Sequence, residues 1–225
     1  MLAAIDAEEP DELWCLGDLV GYGPEPNRCC KAVAERARIC LVGNHDLLAL
    51  GKATVDEDEF NPDAAAAGRW TRSVLSDESR SFLKSLEPQA RVGDAELYHA
   101  SPRDPVWEYV LTMEAVLASF ALTEQPLVLV GHSHVPLRIS LVDDAIAGGV
   151  AGAGDEADLS RGRWLLNPGS VGQPRDGDAR AAYLILEGDA RAHFRRVTYP
   201  VEQTQAEIRE RGLPDALAER LAHGV

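Results

Sequence analysis

Short apolar runs alternate with helical patterns through the first 135 residues of the chain. Apolar residues recur at helical spacing at 1–9, 24–38, 61–86 and 113–122, and continuous apolar runs that end in polar residues occupy 12–18, 39–46, 95–102 and 126–134. Runs of this length between helical segments are typical of buried strands. The alternation therefore predicts an α/β fold whose first sheet is partly parallel.

The pattern changes after residue 135. Short apolar segments separated by turn residues follow one another at 138–147, 163–170, 181–188 and 192–199, which predicts antiparallel strands. The Gly/Ala-rich segment 147–162 is expected to be a mobile surface loop. Residues 201–223 carry a helical pattern with a break at 212–214.

We therefore expect an α/β sandwich in which a second sheet packs on the first and helices flank both. No linker interrupts the chain, so residues 1–225 are expected to form one domain. Its polar strand ends lie within 15–135, its strand-rich half within 135–198 and its C-terminal helices within 201–223.

The charge of the chain limits its partners. The sequence has 22 Lys and Arg against 37 Asp and Glu, a net charge of −15. An acidic surface repels phosphate backbones, so general nucleic-acid binding is not expected. A small phosphorylated substrate remains compatible with this charge, because bound metal ions reverse the local sign.

The sequence also predicts a compartment. No apolar run approaches the roughly 18 residues that span a membrane, and the first residues lack the basic and apolar regions of a secretory leader. Four cysteines occur without a C-x-x-C pair, which favours reduced thiols. A cytoplasmic protein without a membrane partner is expected.

Polar residues with metal-binding chemistry follow four of the predicted strands. They are Asp18, Asn44 with His45, His99, and His132 with His134. Ligands of open α/β sheets bind outside the carboxyl ends of the strands, so these side chains should converge. Aspartate, asparagine and neutral histidine all offer lone pairs, and such mixed ligands suit Mn, Fe, Zn or Ni.

A single histidine after a strand is more often structural than functional, but four of the six histidines share this placement. In an extended segment His132 and His134 would face the same side, with Ser133 turned away. The other two, His193 and His223, are expected to be surface residues.

The ordered motifs resemble those of the calcineurin-like metallophosphoesterases. The motifs are Gly17-Asp18, Gly43-Asn44-His45-Asp46, His99 and Gly131-His132-Ser133-His134, within a similarity that runs from about residue 12 to about 190. The segments SPRDPVWEY (101–109) and NPGSVGQPRD (167–176) are similar to the small bacterial branch of that family.

This resemblance implies a set of roles. Asp18 would bridge two divalent ions, Asn44, His99 and His132 would complete the shell of one ion, and His134 would bind the other. Manganese is the expected metal, with iron, zinc or nickel as alternatives. Asn44 and His45 would meet the substrate, and His45 would protonate the leaving oxygen. Charge and position also make Arg103 a candidate phosphate contact, although a surface ion pair explains it equally well.

The implied activity is hydrolysis of a phosphate ester, with a phosphodiester favoured, by a hydroxide that two metals activate. Protein phosphatases of the superfamily carry G-D-x-x-D-R-G, whereas this chain has Gly21 and Tyr22 at the Asp and Arg positions. Nucleotides, cyclic nucleotides and small phosphomonoesters all stay open as substrates.

One family motif is absent. The family opens with a strand ending in D-x-H, which provides two ligands to the second metal, and residues 1–17 contain no histidine. Three explanations stay open: a coding start placed too far downstream, a shortened form with one intact metal site, or substitute ligands. The first strand is thus expected to be missing, and its loss would expose sheet edges. The absence also keeps open a non-catalytic protein that binds metal or phosphate for regulation.

Overall fold

A computed structural model of the chain describes residues 1–52 and 55–225. Its helices are α1 (Leu2–Asp6), α2 (Pro26–Arg36), α3 (Asn44–Leu50), α4 (Pro62–Val74), α5 (Asp77–Lys84), α6 (Met113–Leu122), α7 (Val201–Glu210) and α8 (Asp215–Glu219). Its strands are β1 (Leu13–Cys15), β2 (Ala37–Cys40), β3 (Gln89–Val92), β4 (Ala95–Tyr98), β5 (Leu127–Val130), β6 (Leu137–Val142), β7 (Ala145–Val150), β8 (Glu156–Asp158), β9 (Arg163–Asn167), β10 (Ala181–Glu187) and β11 (Arg191–Val197).

The largest sheet is mixed and has the strand order β3-β4-β5-β9-β6-β7. Strands β4, β5 and β9 run parallel to one another, and the outer pairs are antiparallel. Strands β1 and β2 form a separate parallel pair, and β10, β11 and β8 form an antiparallel sheet. The sheet expected opposite the first one therefore consists of two ladders among the described residues.

Apolar side chains fill the space between the six-stranded sheet and the three-stranded sheet. Leu97, Leu129 and Leu166 of the first meet Ala192 and Phe194 of the second. On the opposite face of the large sheet, helix α6 packs its own apolar residues against β5 and β9. The predicted α/β sandwich with mixed sheets and flanking helices is confirmed, and burial of both faces explains why its strands read as continuous apolar runs.

The C-terminal helices pack on the same chain. Ile208 of α7 and Leu217 of α8 lie in one buried cluster with Ala67 of α4. A second cluster joins α2, α3 and α5 around Cys30, Ala49 and Leu83. These helices surround the loops that follow β1 and β2. That the chain forms a single domain stays a prediction.

The expected loop at 147–162 is wrong in part, because β7 extends to Val150 and β8 spans Glu156–Asp158. Two small residues of this segment allow close strand packing. A Cβ at Gly148 would come within 1.9 Å of the Arg138 carbonyl oxygen on the neighbouring strand. Ala157 is almost fully buried against β11. Small residues therefore mark tight packing at these two positions.

The expectation for His193 is also wrong, since its side chain is buried in β11. Its Nδ1 lies 3.1 Å from the Glu156 carboxylate and its Nε2 lies 3.3 Å from that of Glu187. Alternation along β11 points His193 to the face opposite Ala192 and Phe194, where carboxylates from the neighbouring strands cover its ring. His223 is exposed as predicted. Among residues 1–52 and 55–225, no helix is long and apolar enough to cross a membrane.

Candidate metal centre

The carboxyl ends of three strands, β1 from the two-stranded sheet and β4 and β5 from the six-stranded sheet, bring predicted ligands together. Asp18 follows β1, His99 follows β4 and His132 follows β5. One ligand atom from each of these residues lies within 4.8 Å of the other two. The convergence expected from strand direction therefore occurs, and it joins residues up to 114 positions apart in the chain.

The carboxylate of Asp18 lies at the middle of this cluster. Its Oδ1 accepts the backbone N–H of His45 at 3.0 Å. Its Oδ2 is buried without a hydrogen-bond partner among the described residues and lies 3.6 Å from His99 Nε2 and 3.9 Å from His134 Nε2. Burial opposes ionisation, but interactions with His99, His45 and His134 outweigh it and keep the pKa of Asp18 below its ordinary value.

Each of three histidines uses one ring nitrogen on a backbone carbonyl. His99 Nδ1 donates to Leu16 at 2.7 Å, His132 Nε2 to Trp107 at 3.1 Å and His134 Nδ1 to Gln173 at 2.8 Å. A carbonyl can only accept, so these bonds fix the ring protons on the outer nitrogens. The other nitrogen of each neutral ring then carries a free lone pair, as in metal-binding histidines held by a second layer of acceptors.

The inner atoms of the cluster are therefore all acceptors. His99 Nε2 lies 3.3 Å from Asn44 Oδ1 and close to Asp18 Oδ2, and His132 Nδ1 is buried without a hydrogen-bond partner. Converging lone pairs repel one another unless a cation lies between them. The residues fit a divalent metal of the kind that takes mixed nitrogen and oxygen ligands.

Backbone strain is concentrated at the same residues. Asp18 has φ +53°, His132 has φ +56° and His134 has φ +60°, a region that residues other than glycine rarely adopt. Among the other non-glycine residues that the structure describes, only Glu9, Asp143 and Asp144 have a positive φ, and the two aspartates form the β6–β7 hairpin turn. Strained backbone held by its surroundings is typical of functional sites.

The prediction of an extended Gly131–His134 segment is wrong, because the positive φ values of both histidines form a tight loop. Ser133 turns away from the cluster and accepts a hydrogen bond from Asn167 Nδ2 at 3.0 Å. The same amide group donates to the Gly131 carbonyl at 2.7 Å. Asn167 is completely buried, so this side chain fixes the loop that carries the two histidines.

Glycines allow the close approach that the cluster needs. A Cβ at Gly43 would come within 2.0 Å of Asp18 Oδ1, and a Cβ at Gly17 would come within 2.7 Å of His99 Nδ1. Gly17 also has φ +95°, which favours glycine. Only a residue without a side chain fits at these two positions.

Asp46 ties two of the loops together. Its carboxylate accepts the backbone N–H of Gly43 at 2.9 Å and that of Val20 at 3.1 Å. The side chain is completely buried, and burial together with the charge of Asp18 raises its pKa well above the ordinary value. The G-N-H-D motif thus combines site residues with a structural carboxyl group.

His45 lies next to the cluster, at the start of α3. Its Nε2 is 2.8 Å from the Tyr22 hydroxyl, its Nδ1 is buried without a partner, and Phe60 meets its ring edge-on at 5.1 Å. Burial is the main cause that lowers the pKa of His45 to about 4, and burial likewise lowers that of His132 to about 3. Both imidazoles are therefore neutral near pH 7.

The segment 101–109 supports His132. The Trp107 carbonyl accepts its Nε2 proton, and the Tyr109 ring stacks on the imidazole with the centroids 4.1 Å apart. Arg103 in the same segment forms ion pairs with Glu108 and Glu114. Its hydrogen bonds and ion pairs within the described chain involve these two carboxylates alone, so its predicted phosphate contact stays a prediction.

The segment 167–176 contributes residues that sequence reasoning did not identify. Besides Asn167, its Gln173 carbonyl holds His134, and its Arg175 guanidinium donates to the Tyr22 hydroxyl at 3.1 Å. The only sequence evidence for these residues was the similarity of the segment to the bacterial branch of the family. That similarity indicated that the segment matters but not which of its side chains reaches the site.

A family model confirms the resemblance. Residues 1–191 match the model described as the calcineurin-like phosphoesterase superfamily domain. The chain belongs to this superfamily. Membership supports a phosphoesterase, and Asp18, His99 and His132 form a cluster that could hold a metal ion.

Individual relatives agree with this assignment. An uncharacterized protein of Methanocaldococcus jannaschii, MJ0912, is 36% identical over 219 residues, which cover 95% of this chain and 86% of the relative. The crystal structure of a metallophosphoesterase from Sphaerobacter thermophilus is 44% identical with a TM-score of 0.87, covering 99% of this chain and 92% of that one. A hypothetical protein from Pyrococcus horikoshii, PH1004, shares the fold at 19% identity, with a TM-score of 0.79 and coverage of 100% and 91%.

Proposed function

We propose that the chain is a metal-dependent hydrolase of phosphate esters, better suited to phosphodiesters than to phosphoproteins. One observation carries the proposal. Three imidazoles use their outer N–H groups on backbone carbonyls and leave acceptor-only nitrogens around the carboxylate of Asp18. In a member of a phosphoesterase superfamily, such a cluster is suited to divalent ions.

Asp18, Asn44, His99 and His132 would hold one ion, and Asp18 with His134 would contribute to a second. When bound, divalent ions lower the pKa of a water nucleophile and neutralise the phosphoryl oxygens. We propose two Mn²⁺ ions, since carboxylate, amide and imidazole ligands all suit manganese. Asp18 Oδ2 and His134 Nε2 lie 3.9 Å apart, so both atoms could bind the same ion after small movements of their side chains.

His45 is proposed to deliver the proton to the leaving oxygen. Its imidazole is neutral near pH 7, because burial lowers its pKa to about 4. A negatively charged phosphoryl group next to the ring favours the imidazolium form, so protonation would accompany substrate binding. The backbone N–H of His45 stays bonded to Asp18, which fixes the ring relative to the ligands.

The substrate is proposed to be a small phosphorylated molecule in the cytoplasm. Gly21 and Tyr22 stand where protein phosphatases of the superfamily carry Asp and Arg, which disfavours phosphoproteins. The net charge of −15 disfavours nucleic-acid backbones. Nucleotides, cyclic nucleotides and small phosphomonoesters all meet these conditions.

Hydrolysis of bis(p-nitrophenyl) phosphate and p-nitrophenyl phosphate with Mn²⁺ tests the proposal. We expect turnover of the diester, loss of both turnover and metal in Asp18→Asn, and ordinary turnover in His223→Ala, which alters an exposed histidine. His45→Ala should lower kcat by about a hundredfold or more while its metal content stays that of the wild type.

The outcome also separates the proposal from its alternative. If metal content and kcat fall together in His45→Ala, His45 is a ligand or a structural residue. If the wild-type chain binds metal and hydrolyses neither ester, the protein is better described as a non-catalytic binder of metal or phosphate.

A further inference from the structure

A guanidinium group reaches the proposed catalytic histidine from the far end of the sequence. Arg175 Nη2 donates to the Tyr22 hydroxyl at 3.1 Å, and that hydroxyl lies 2.8 Å from His45 Nε2. The Arg175 guanidinium also lies over the Tyr22 ring, 5.9 Å from its centroid. Two hydrogen bonds therefore connect Arg175 to His45.

The directions of these bonds follow from the donor inventory. A guanidinium can only donate, so the Tyr22 oxygen accepts from Arg175 and its own proton is free to go to His45 Nε2. The Tyr22 hydroxyl thus lies between the guanidinium and the imidazole of His45. A phosphoryl oxygen that accepted a hydrogen bond from this guanidinium would lie next to both the hydroxyl and the imidazole.

The charge of Arg175 is not neutralised by the protein. Its side-chain acceptors are the Tyr22 hydroxyl and Gln173 Oε1, the latter at 2.9 Å, and both groups are neutral. No carboxylate lies within 4.0 Å of it in the described chain, and the adjacent Asp176 pairs with Arg196 instead. In a protein with a net charge of −15, a half-buried arginine without a carboxylate is unusual.

Arg103, the arginine suggested by the sequence, differs from Arg175 because carboxylates pair with its guanidinium. Glu108 and Glu114 both pair with its guanidinium, so its charge is already balanced. The charge of Arg175, by contrast, is felt by another cation: after burial, it is the main cause that lowers the pKa of Arg220.

Gln173 supplies a further unused donor. Its side chain is 3% exposed, and its Nε2 is buried without a hydrogen-bond partner. Its backbone carbonyl holds His134, so the residue is fixed relative to the proposed ligands. A buried N–H that lacks an acceptor is costly, and an arriving oxygen would satisfy it.

We propose that Arg175, with Tyr22 and Gln173, forms the subsite that binds a nonbridging oxygen of the substrate's phosphoryl group. This inference rests on the proposed function, since it assigns residues to the same site. Planar guanidinium groups bind phosphate oxygens through charge-assisted hydrogen bonds, the strongest class in proteins. Arg175 would therefore be a substrate-binding residue.

The test compares Arg175→Gln, Arg175→Lys and a control, Arg91→Gln, in the Mn²⁺-loaded protein. Arg91 is exposed on β3, and its side chain forms no hydrogen bond or ion pair within the described part of the chain, so its replacement removes the same charge without removing a contact. Inorganic phosphate binding is measured by calorimetry, KM and kcat are measured with the diester, and metal content is measured by mass spectrometry.

We expect Arg175→Gln to weaken phosphate binding and raise KM by about tenfold, equivalent to about 1.4 kcal/mol, with metal content unchanged. Arg175→Lys should recover part of the loss, because it keeps the charge without the planar fork. Arg91→Gln should match the wild type. Thermal unfolding of each variant confirms that the fold is retained.

Failure of this inference differs from failure of the proposed function. If the wild type hydrolyses the diester and Arg175→Gln is indistinguishable from Arg91→Gln, the subsite is wrong and the function stands. If no ester is hydrolysed but phosphate binds and Arg175→Gln weakens it, the subsite stands without the activity. Absence of phosphate binding in the wild type, or weakening in Arg103→Gln instead, overturns the assignment.

Discussion

Substitution of Gly43 by alanine should disrupt the metal centre through a single methyl group. The added Cβ would lie 2.0 Å from Asp18 Oδ1, 2.6 Å from the Asp18 backbone nitrogen and 2.6 Å from His99 Cε1. Real Cβ atoms essentially never approach another heavy atom closer than 3.0 Å. The carboxylate must therefore move by about 1 Å, the difference between 3.0 and 2.0 Å.

This displacement has two consequences of calculable size. Overpacking of a close-packed site costs about 1–3 kcal/mol of unfolding free energy, which lowers the Tm of a chain of this length by about 2–12 °C. Movement of Asp18 also weakens its bond to the backbone N–H of His45 and misplaces the central ligand. Loss of such support lowers metal affinity by about 10–100-fold.

Calorimetric titration of metal-free protein with Mn²⁺ measures the effect on affinity. The matched control is Gly23→Ala, since Gly23 is exposed nearby in the chain and a Cβ there would meet no heavy atom within 4 Å. Gly23→Ala should bind Mn²⁺ as the wild type does. If Gly43→Ala also binds with unchanged affinity, Asp18 is not a ligand and the proposed centre is wrong.

Two further predictions concern the loop that carries His132 and His134 and the protonation of His45. Asn167→Ala should lower the free energy of unfolding by about 1–3 kcal/mol and weaken Mn²⁺ binding, because it leaves the Gly131 carbonyl without its buried donor. Unchanged Mn²⁺ binding in a folded variant would show that the loop keeps its conformation without this side chain. Acidification from about pH 6.5 through about pH 4 should destabilise the metal-free protein, because burial lowers the pKa of folded His45 to about 4 while the unfolded chain protonates near 6.5. The midpoints of urea unfolding of the wild type and His45→Phe, measured across this pH range, test this second prediction. An equal loss of stability at acid pH in both proteins would contradict it.

The elements that position the site were largely predictable from the sequence. Helix α6 spans the predicted 113–122, and the polar ends of the runs at 12–18, 95–102 and 126–134 meet as strand direction requires. The strands in these runs are buried or half-buried throughout, so hydrophobicity marks them. Asp18, His99 and His132 were expected to meet because ligands collect at the carboxyl ends of such strands, and their side chains do meet.

Other features could not be predicted because they depend on tertiary contacts. The positive φ values of His132 and His134 are maintained by hydrogen bonds from Asn167, which lies more than thirty residues further along the chain. Arg175 is linked to the site by its hydrogen bond to Tyr22, 153 positions earlier, and no carboxylate in the described part of the chain pairs with it. Local composition cannot predict either contact, and it cannot predict the strand pairing that buries Ala157 in a Gly/Ala-rich segment.

The acceptor-only cluster around Asp18 is expected to bind a divalent metal. Metal content per chain can be measured by mass spectrometry after incubation with Mn²⁺ and dialysis, with Asp18→Ala as the comparison. We expect about one to two ions per wild-type chain, a value near two supporting the dinuclear proposal, and a clear loss in the variant. A wild-type chain that retains no metal, or a variant that retains as much as the wild type, would contradict it.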